Sequence, residues 1–167
     1  HYVGAFFDLS EEKEAQNRIF ELALYDPLTN LANRRLLKES LTHAIAASAR
    51  SKSYGAVCMI DLDHFKSVND SFGHEKGDLL LQKVASAIRS NVRKSDTFAR
   101  WGGDEFVLLL VGIKDEGVPA IVANKILTLL SQQPFDLEGS QVFCSASIGI
   151  ALYPQDGNTP ETLLRHA

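Results

Sequence analysis

The sequence predicts an α/β fold, in which a mixed central β-sheet is flanked by helices on both faces. Segments with helical periodicity alternate with strand-like segments along the chain, and residues 56–60 form a continuous apolar run. A strand without a polar face is typical of a sheet that helices cover on both sides. Of the 167 residues, 45% are apolar, which suffices for one core, so we expect one domain plus an appendage.

The N-terminal segment precedes this domain. Residues 1–7 are strand-like but too short to be stable alone, which indicates the tail of a preceding domain. A helix follows with Ser10 as its N-cap and with one apolar stripe made of Ala15, Ile19, Leu22 and Ala23. This helix is either a linker or half of a dimeric coiled coil. We therefore assign residues 1–25 to the tail and linker helix, and residues 26–167 to the domain.

The order predicted for the domain is helix, strand, helix, hairpin, helix, strand, helix. Apolar periodicity places helices at 34–50, from near His74 to Val92, at 118–129 and around Pro160. It places strands at 56–60, 97–101, 106–111 and 142–152, with a turn between the second and the third. Proline supports these limits, because Pro27 breaks the chain before the helix at 34–50 and Pro134 ends the helix that begins at residue 118.

Composition and charge exclude several classes of protein. The net charge of −4 disfavours a nucleic acid polymer as partner, because such binding depends on clustered Lys and Arg. Cys58 and Cys144 lie in apolar runs, which predicts reduced core residues of a cytoplasmic protein. No apolar run approaches the roughly 20 residues of a membrane span. We expect a soluble, cytoplasmic segment, with any membrane attachment made only through a longer parent chain.

Residues 100–106 read Arg-Trp-Gly-Gly-Asp-Glu-Phe and predict a turn that bears chemistry. Gly102 and Gly103 allow the backbone to approach phosphate oxygens, and a neighbouring acid can hold a hard cation against them. The turn therefore indicates nucleotide chemistry.

A third acid completes this set if the buried strand lies beside the hairpin. Asp61 ends that strand and would then meet Asp104 and Glu105. Carboxylates from different strands, together with substrate phosphates, are the usual ligands of Mg²⁺ in nucleotidyl transfer. The alternative is that Asp61 and Asp63 only cap a strand end.

The link after Asp61 is unusually polar. Asn69 and Asp78 offer the donors and acceptors that read a guanine edge: the carboxylate accepts N1–H and the 2-amino group, and the amide binds O6 or N3. Lys66 is placed to meet a phosphate. Alternatively, these residues make turns and His74 or Asp78 settles the start of the next helix.

Three ordered blocks carry a resemblance to a known family. They are Asp26-Pro-Leu-Thr-Asn-Leu-Ala-Asn-Arg34, then Asp61-Leu-Asp-His-Phe-Lys66 with Asn69, Gly73-His74 and Gly77-Asp78, and finally Arg100-Trp-Gly-Gly-Asp-Glu-Phe106. Together they resemble the GGDEF domain family, the diguanylate cyclases, over residues 26 to about 165. The resemblance implies the palm-like fold of nucleotide cyclases and an upstream PAS-like sensory module.

The resemblance also implies a reaction and a metal site. Two GTP molecules condense to cyclic di-GMP and two pyrophosphates across a homodimer of domains, with Mg²⁺ or Mn²⁺ as cofactor. Asp61 and Asp104 would bind the metal with the backbone carbonyl of Leu62. Glu105 would bind metal or accept the 3′-hydroxyl proton.

By the same resemblance, Asn69, His74 and Asp78 would line the guanine and ribose side, Lys66 would face phosphate, and Gly102 and Gly103 would present backbone amides. An inhibitory site for the product cyclic di-GMP would contain Arg93 and Asp96, joined by a second arginine for which Arg50 and Arg89 are candidates. The alternative is that Arg93 ends a solvated helix.

Other residues are expected to serve the structure. Trp101 and Phe106 should pack around the hairpin, and Asp26 should pair with Arg34. The family continues beyond the segment that ends at Ala167, so we expect a domain truncated at its C-terminus.

Two other functions remain open. One is a domain that senses GTP or cyclic di-GMP and controls an attached EAL-type phosphodiesterase. The other is a polymerase-like or nucleotide-cyclase fold that acts on another nucleotide.

Overall fold

The computed structural model describes the backbone of residues 3–167 and the side chains of residues 9–167. Helix α1 runs from Val3 to Leu24, so the linker helix predicted after Ser10 is present and begins earlier than expected. The strand predicted at residues 1–7 is wrong from Val3 onwards, and its first two residues lie outside the described part. A short apolar run does not distinguish helix from strand by periodicity alone.

The remaining elements follow the predicted order, with additions. In chain order they are α2 (Arg34–Ser51), β1 (Tyr54–Leu62), α3 (Phe65–Phe72), α4 (His74–Arg89), β2 (Thr97–Gly102), β3 (Glu105–Ile113), α5 (Val118–Gln132), β4 (Phe135–Leu137), β5 (Ser140–Val142), β6 (Ala146–Tyr153) and α6 (Pro160–His166). Helix α3 and the hairpin of β4 and β5 were not predicted. The single strand predicted at 142–152 is instead the end of β5, a break, and β6.

Strand β1 lies inside a four-stranded sheet of order β2-β3-β1-β6. The predicted α/β fold, a central sheet flanked by helices, is confirmed. The strand pairings of this sheet are all antiparallel, whereas the sequence predicted a mixed sheet. Among the described residues, parallel pairing is limited to an isolated bridge between Ala32 and Ala99. The difference arises because β1 pairs with β3 and β6, neither of which follows it through a crossover helix of the βαβ type.

Helices cover both faces of the sheet, and β1 contributes to a core on each. Cys58 and Ile60 point to the face covered by α4 and α5. Val57 points to the opposite face, against α2 and α6. Since side chains alternate along a strand, Asp61 lies on the same face as Val57. Both cysteines are free and buried, as expected, and burial raises the pKa of Cys58 to about 12.

Candidate active site

Three acids from two separate sequence blocks meet where the two inner strands of the sheet, β1 and β3, end and begin. Asp61, next to last in β1, is the direct antiparallel partner of Glu105, the first residue of β3. The backbone N–H of Leu62 donates a hydrogen bond of 3.2 Å to the carbonyl oxygen of Asp104 in the adjoining turn. Asp61, Asp104 and Glu105 are therefore neighbours at the ends of β1 and β3, while their binding of one shared cation stays a prediction.

The electrostatics of Asp61 reflect this crowding. Burial raises the pKa of Asp61, and the charges of Asp104, Glu105 and Asp63 raise it further, together with a hydrogen bond to Asp104. Like charges held this close disfavour ionisation unless a cation lies among them. The cluster is thus an arrangement that a cation would stabilise.

The donor set fits a hard divalent cation. The donors that the sequence predicts are the carboxylates of Asp61, Asp104 and Glu105 and the backbone carbonyl of Leu62, and all of them are oxygen atoms. Within residues 9–167, no group of three or more His, Cys, Asp or Glu side chains is arranged to hold a metal ion by itself. Mg²⁺ is usually bound through one or two carboxylates, with substrate phosphates and water completing its shell. An incomplete set of protein oxygens therefore suits Mg²⁺ with a nucleotide.

Asp63 has a different role from its neighbour. Its carboxylate accepts hydrogen bonds from the hydroxyls of Ser147 (2.7 Å) and Ser145 (2.8 Å). These hydrogen bonds lower the pKa of Asp63. Asp63 therefore fastens the start of β6 to the end of β1, so the structural alternative holds for Asp63.

Two arginines hold the diglycine turn. Gly103 has a φ of 49°, a left-handed conformation that favours glycine, and its carbonyl accepts hydrogen bonds from Arg100 Nε (3.0 Å) and Nη2 (2.8 Å). Arg34 donates to the carbonyl of Trp101 and stacks 4.6 Å above the centre of its ring. Neither contact is predictable from the motif blocks to which Arg100 and Arg34 belong, because both contacts depend on how the turn folds back on its neighbours.

The prediction that Asp26 pairs with Arg34 is wrong. Asp26 pairs instead with Arg100, whose Nη1 lies 3.2 Å from Asp26 Oδ1. The physical reason is that residues 25–32 fold back on β2: Ala32 accepts a hydrogen bond of 2.9 Å from the Arg100 backbone. Arg34, at the start of α2, is then directed towards Trp101.

The residues expected on the guanine side lie on the pair of helices α3 and α4. Asn69 packs against α4, and its Oδ1 atom is buried without a hydrogen-bond partner. His74 and Asp78 are exposed on the first turns of α4, and Lys66 is exposed at the start of α3. The polar segment that follows Asp61 is therefore mostly helical.

Arg93 and Asp96, the two residues expected at the inhibitory site, form an ion pair with each other. Arg93 Nε and Nη2 each lie 3.0 Å from an oxygen of Asp96, and Asp96 also accepts the backbone N–H of Val111. The Asp96 side chain is 3% exposed and that of Arg93 is 57% exposed. Of the two, only Arg93 is accessible to a ligand. Arg89 lines a nearby cavity with Asp96, whereas Arg50 is exposed near the end of α2.

Helices of the described part of the chain are too short or too polar to cross a membrane. The exposed α1 nevertheless carries large apolar side chains, of which Ile19, Phe20 and Leu22 are at least 63% exposed.

Comparisons with known proteins agree with one another. The chain is 48% identical over 153 residues to the bifunctional diguanylate cyclase/cyclic di-GMP phosphodiesterase MucR of Pseudomonas aeruginosa, covering 92% of this chain and 22% of MucR. It is 40% identical over 160 residues to the cyclic di-GMP phosphodiesterase PdeR of Escherichia coli, covering 96% of this chain and 24% of PdeR. The chain thus spans about a quarter or less of the length of these relatives.

Solved structures show the same similarity. The GGDEF domain of TpbB, also called YfiN, from Pseudomonas aeruginosa superposes with a TM-score of 0.82 at 40% identity, covering 84% of this chain and 82% of that one. The family model described as "Diguanylate cyclase, GGDEF domain" matches residues 23–167. Since this match extends over most of the chain, the chain belongs to the GGDEF family.

Proposed function

We propose that this domain is a diguanylate cyclase that condenses two GTP molecules into cyclic di-GMP and two pyrophosphates. The observation that carries the proposal is the convergence of Asp61 with Asp104 and Glu105 beside a glycine turn. The names of relatives such as MucR support the same chemistry. A cytoplasmic location, where GTP is available, accords with it.

The acids would bind the metal and move the proton. Asp61, Asp104 and the Leu62 carbonyl would hold Mg²⁺ or Mn²⁺, and Glu105 would either complete that set or accept the proton of the 3′-hydroxyl. When bound, the metal supplies positive charge that neutralises the phosphates. Protein carboxylates alone would repel the triphosphate, so the cation also determines whether substrate binds.

Substrate contacts come from the helix pair and from the turn. Asn69, His74 and Asp78 take the guanine and ribose, and Lys66 takes a phosphate. Backbone N–H groups of Gly102 and Gly103 approach the phosphates, since no side chain of either residue stands in the way.

Each of the two steps forms one bond and breaks one. The 3′-oxygen of one GTP attacks the α-phosphorus of the other, the bond from that phosphorus to the bridging oxygen breaks, and pyrophosphate leaves. One domain holds one GTP, so two domains must face each other. The exposed apolar residues Ile19, Phe20 and Leu22 of α1 support a second copy of this chain as the partner.

A labelled-nucleotide experiment tests the proposal. The protein is incubated with Mg²⁺ and each of the four ribonucleoside triphosphates in turn, and the products are identified by mass. We expect cyclic di-GMP from GTP alone, at a rate per protein that falls on dilution. A product from ATP and none from GTP would favour the second alternative, a cyclase or polymerase of another nucleotide.

The name of PdeR favours a second candidate function: a domain that binds GTP or cyclic di-GMP and regulates an attached EAL-type phosphodiesterase. In that case the dimer binds GTP with Mg²⁺ yet forms no cyclic di-GMP. Calorimetry with GTP beside the product assay separates the two functions. The main proposal also divides the chain into the tail and linker helix at residues 1–25 and the domain at residues 26–167. It further includes an inhibitory site at Arg93 and Asp96.

A further inference from the structure

Gly77 lies inside α4 at the point where α3 crosses it. A Cβ atom placed on Gly77 would stand 1.8 Å from Asn69 Oδ1, 2.9 Å from Asn69 Cγ and 3.3 Å from Phe65 Cζ. No side chain fits at these distances while Asn69 keeps its position. Helix interiors favour alanine over glycine, so glycine at this buried position needs a reason other than helix formation.

The contact determines which end of the Asn69 amide is available. Oδ1 is buried and accepts no conventional hydrogen bond from the described residues, because it faces the Cα of Gly77. A glycine Cα–H pointed at an oxygen is a weak donor, and it is the hydrogen that any other residue replaces with Cβ. Nδ2 is the other polar atom of the same planar amide and, unlike Oδ1, is not among the buried side-chain atoms of the described residues that lack a hydrogen-bond partner.

We infer that Gly77 is a positioning residue that keeps Asn69 seated against α4, with Nδ2 presented to the acceptor edge of a purine base. The inference rests on the proposed function and adds a residue to its guanine site. An N–H donor matches O6 of guanine and meets an amino group in adenine. Gly77 thereby supports the preference for GTP over ATP without touching the nucleotide.

A mutant cycle tests the inference with Asn69→Ala, Gly77→Ala and the double variant. Dissociation constants are measured by calorimetry with Mg²⁺ and with GTP and ATP analogues whose α–β bridging atom is a methylene group. We expect Gly77→Ala to reduce the preference for GTP about tenfold, the value of one lost hydrogen bond, and to the same degree as Asn69→Ala. The double variant should lose no more than either single one. Ser86→Ala, on the exposed side of α4, is the matched control and should leave the preference for GTP unchanged.

Thermal unfolding of the same proteins provides a readout that does not depend on nucleotide. Alanine favours the helix, so Gly77→Ala should raise the melting temperature in the Asn69→Ala background and fail to raise it in the wild-type background. An equal rise in both backgrounds, with the preference for GTP intact, would overturn the inference alone. Wild-type protein without any preference for GTP over ATP would overturn the proposed guanine site and this inference with it.

Discussion

Arg100 Nη1 lies 3.2 Å from Asp26 Oδ1, while Nε and Nη2 of the same guanidinium donate to the carbonyl of Gly103. Asp26 follows α1 after a single residue, and Gly103 precedes the acids of the candidate site. The two charged side chains are 15% and 18% exposed, so water screens this pair only partly. One side chain therefore connects the entry of the domain to its diglycine turn.

Replacing Arg100 by lysine should disconnect these two segments. A lysine is a single point charge and cannot hold both Asp26 and the Gly103 carbonyl as the planar fork does. We expect a loss of about 1 to 3 kcal/mol in the free energy of unfolding, measured with urea. The rate of cyclic di-GMP formation should fall about tenfold or more, because a displaced turn misplaces the acids.

Arg35→Lys is the control for that change. Arg35 pairs with Glu39 at 3.2 Å on the exposed surface of α2, where an ion pair contributes little. Stability should stay within about 0.5 kcal/mol and the rate should be unchanged. Wild-type stability and rate in Arg100→Lys would show that the turn does not depend on the fork.

Acid should weaken the contribution of Asp26 to stability. Burial acts to raise the pKa of Asp26, but hydrogen bonds from Thr29 and the charge of Arg100 outweigh it, so this pKa lies below its ordinary value of 3.8. A depressed carboxyl pKa stabilises the folded state fully above the unfolded value. This stabilisation is lost as the pH falls below 3.8 through the folded value. Urea titrations should therefore show wild type more stable than Asp26→Asn at neutral pH, with the difference shrinking only below about pH 3.8. A difference that does not vary with pH would contradict the argument.

Neutralising Asp61 and neutralising Asp63, both at the end of β1, should change the melting temperature in opposite directions. Asp61→Asn removes a charge whose pKa is raised by burial and by neighbouring acids, so the melting temperature at neutral pH should rise without metal. Asp63→Asn removes a charge whose pKa Ser147 and Ser145 lower, so the melting temperature should fall. Calorimetric melts of both variants provide the comparison.

The product assay completes the comparison of Asp61 and Asp63. Asp61→Asn should lower the rate of cyclic di-GMP formation by about two orders of magnitude. Losing a residue that only hydrogen-bonds to a metal ligand already lowers activity roughly 10- to 100-fold. Asp63→Asn should retain more activity than Asp61→Asn because Asp63 is occupied by serine hydroxyls. The reverse ranking would move the metal site to Asp63.

Product inhibition should be tested with Arg93→Ala and not with a change of Asp96. Asp96→Ala leaves the Val111 N–H without its partner and should cost about 1 to 3 kcal/mol in unfolding. Arg93→Ala removes the cation beside a carboxylate that is 3% exposed, so it should also cost about 1 to 3 kcal/mol, but Arg93 is the accessible member of the pair. If the inhibitory site operates, Arg93→Ala relieves inhibition by added cyclic di-GMP. Equal inhibition of wild type and this variant would remove Arg93 from that site.

The sequence predicted those features that depend on residues near one another in the chain. The limits of α2, α4 and β1 follow from apolar periodicity and were found within a few residues. The polar stretch after Asp61 concealed α3, since its polar residues also suit turns. The break between β5 and β6 was missed because the apolar pattern continues across it.

The amino-acid sequence was enough to predict the order of the longer helices and strands, the acids near the end of β1 and the start of β3, and the family, because local periodicity and ordered motif blocks carry that information. Tertiary structure alone decided that Arg100 and not Arg34 binds Asp26, that Asp63 serves the strand end while Asp61 joins the acid cluster, and that Asn69 rests on Gly77. These contacts depend on the antiparallel register and on helix crossing. Register and crossing are set by packing between segments that are distant in the chain, and no local pattern specifies them.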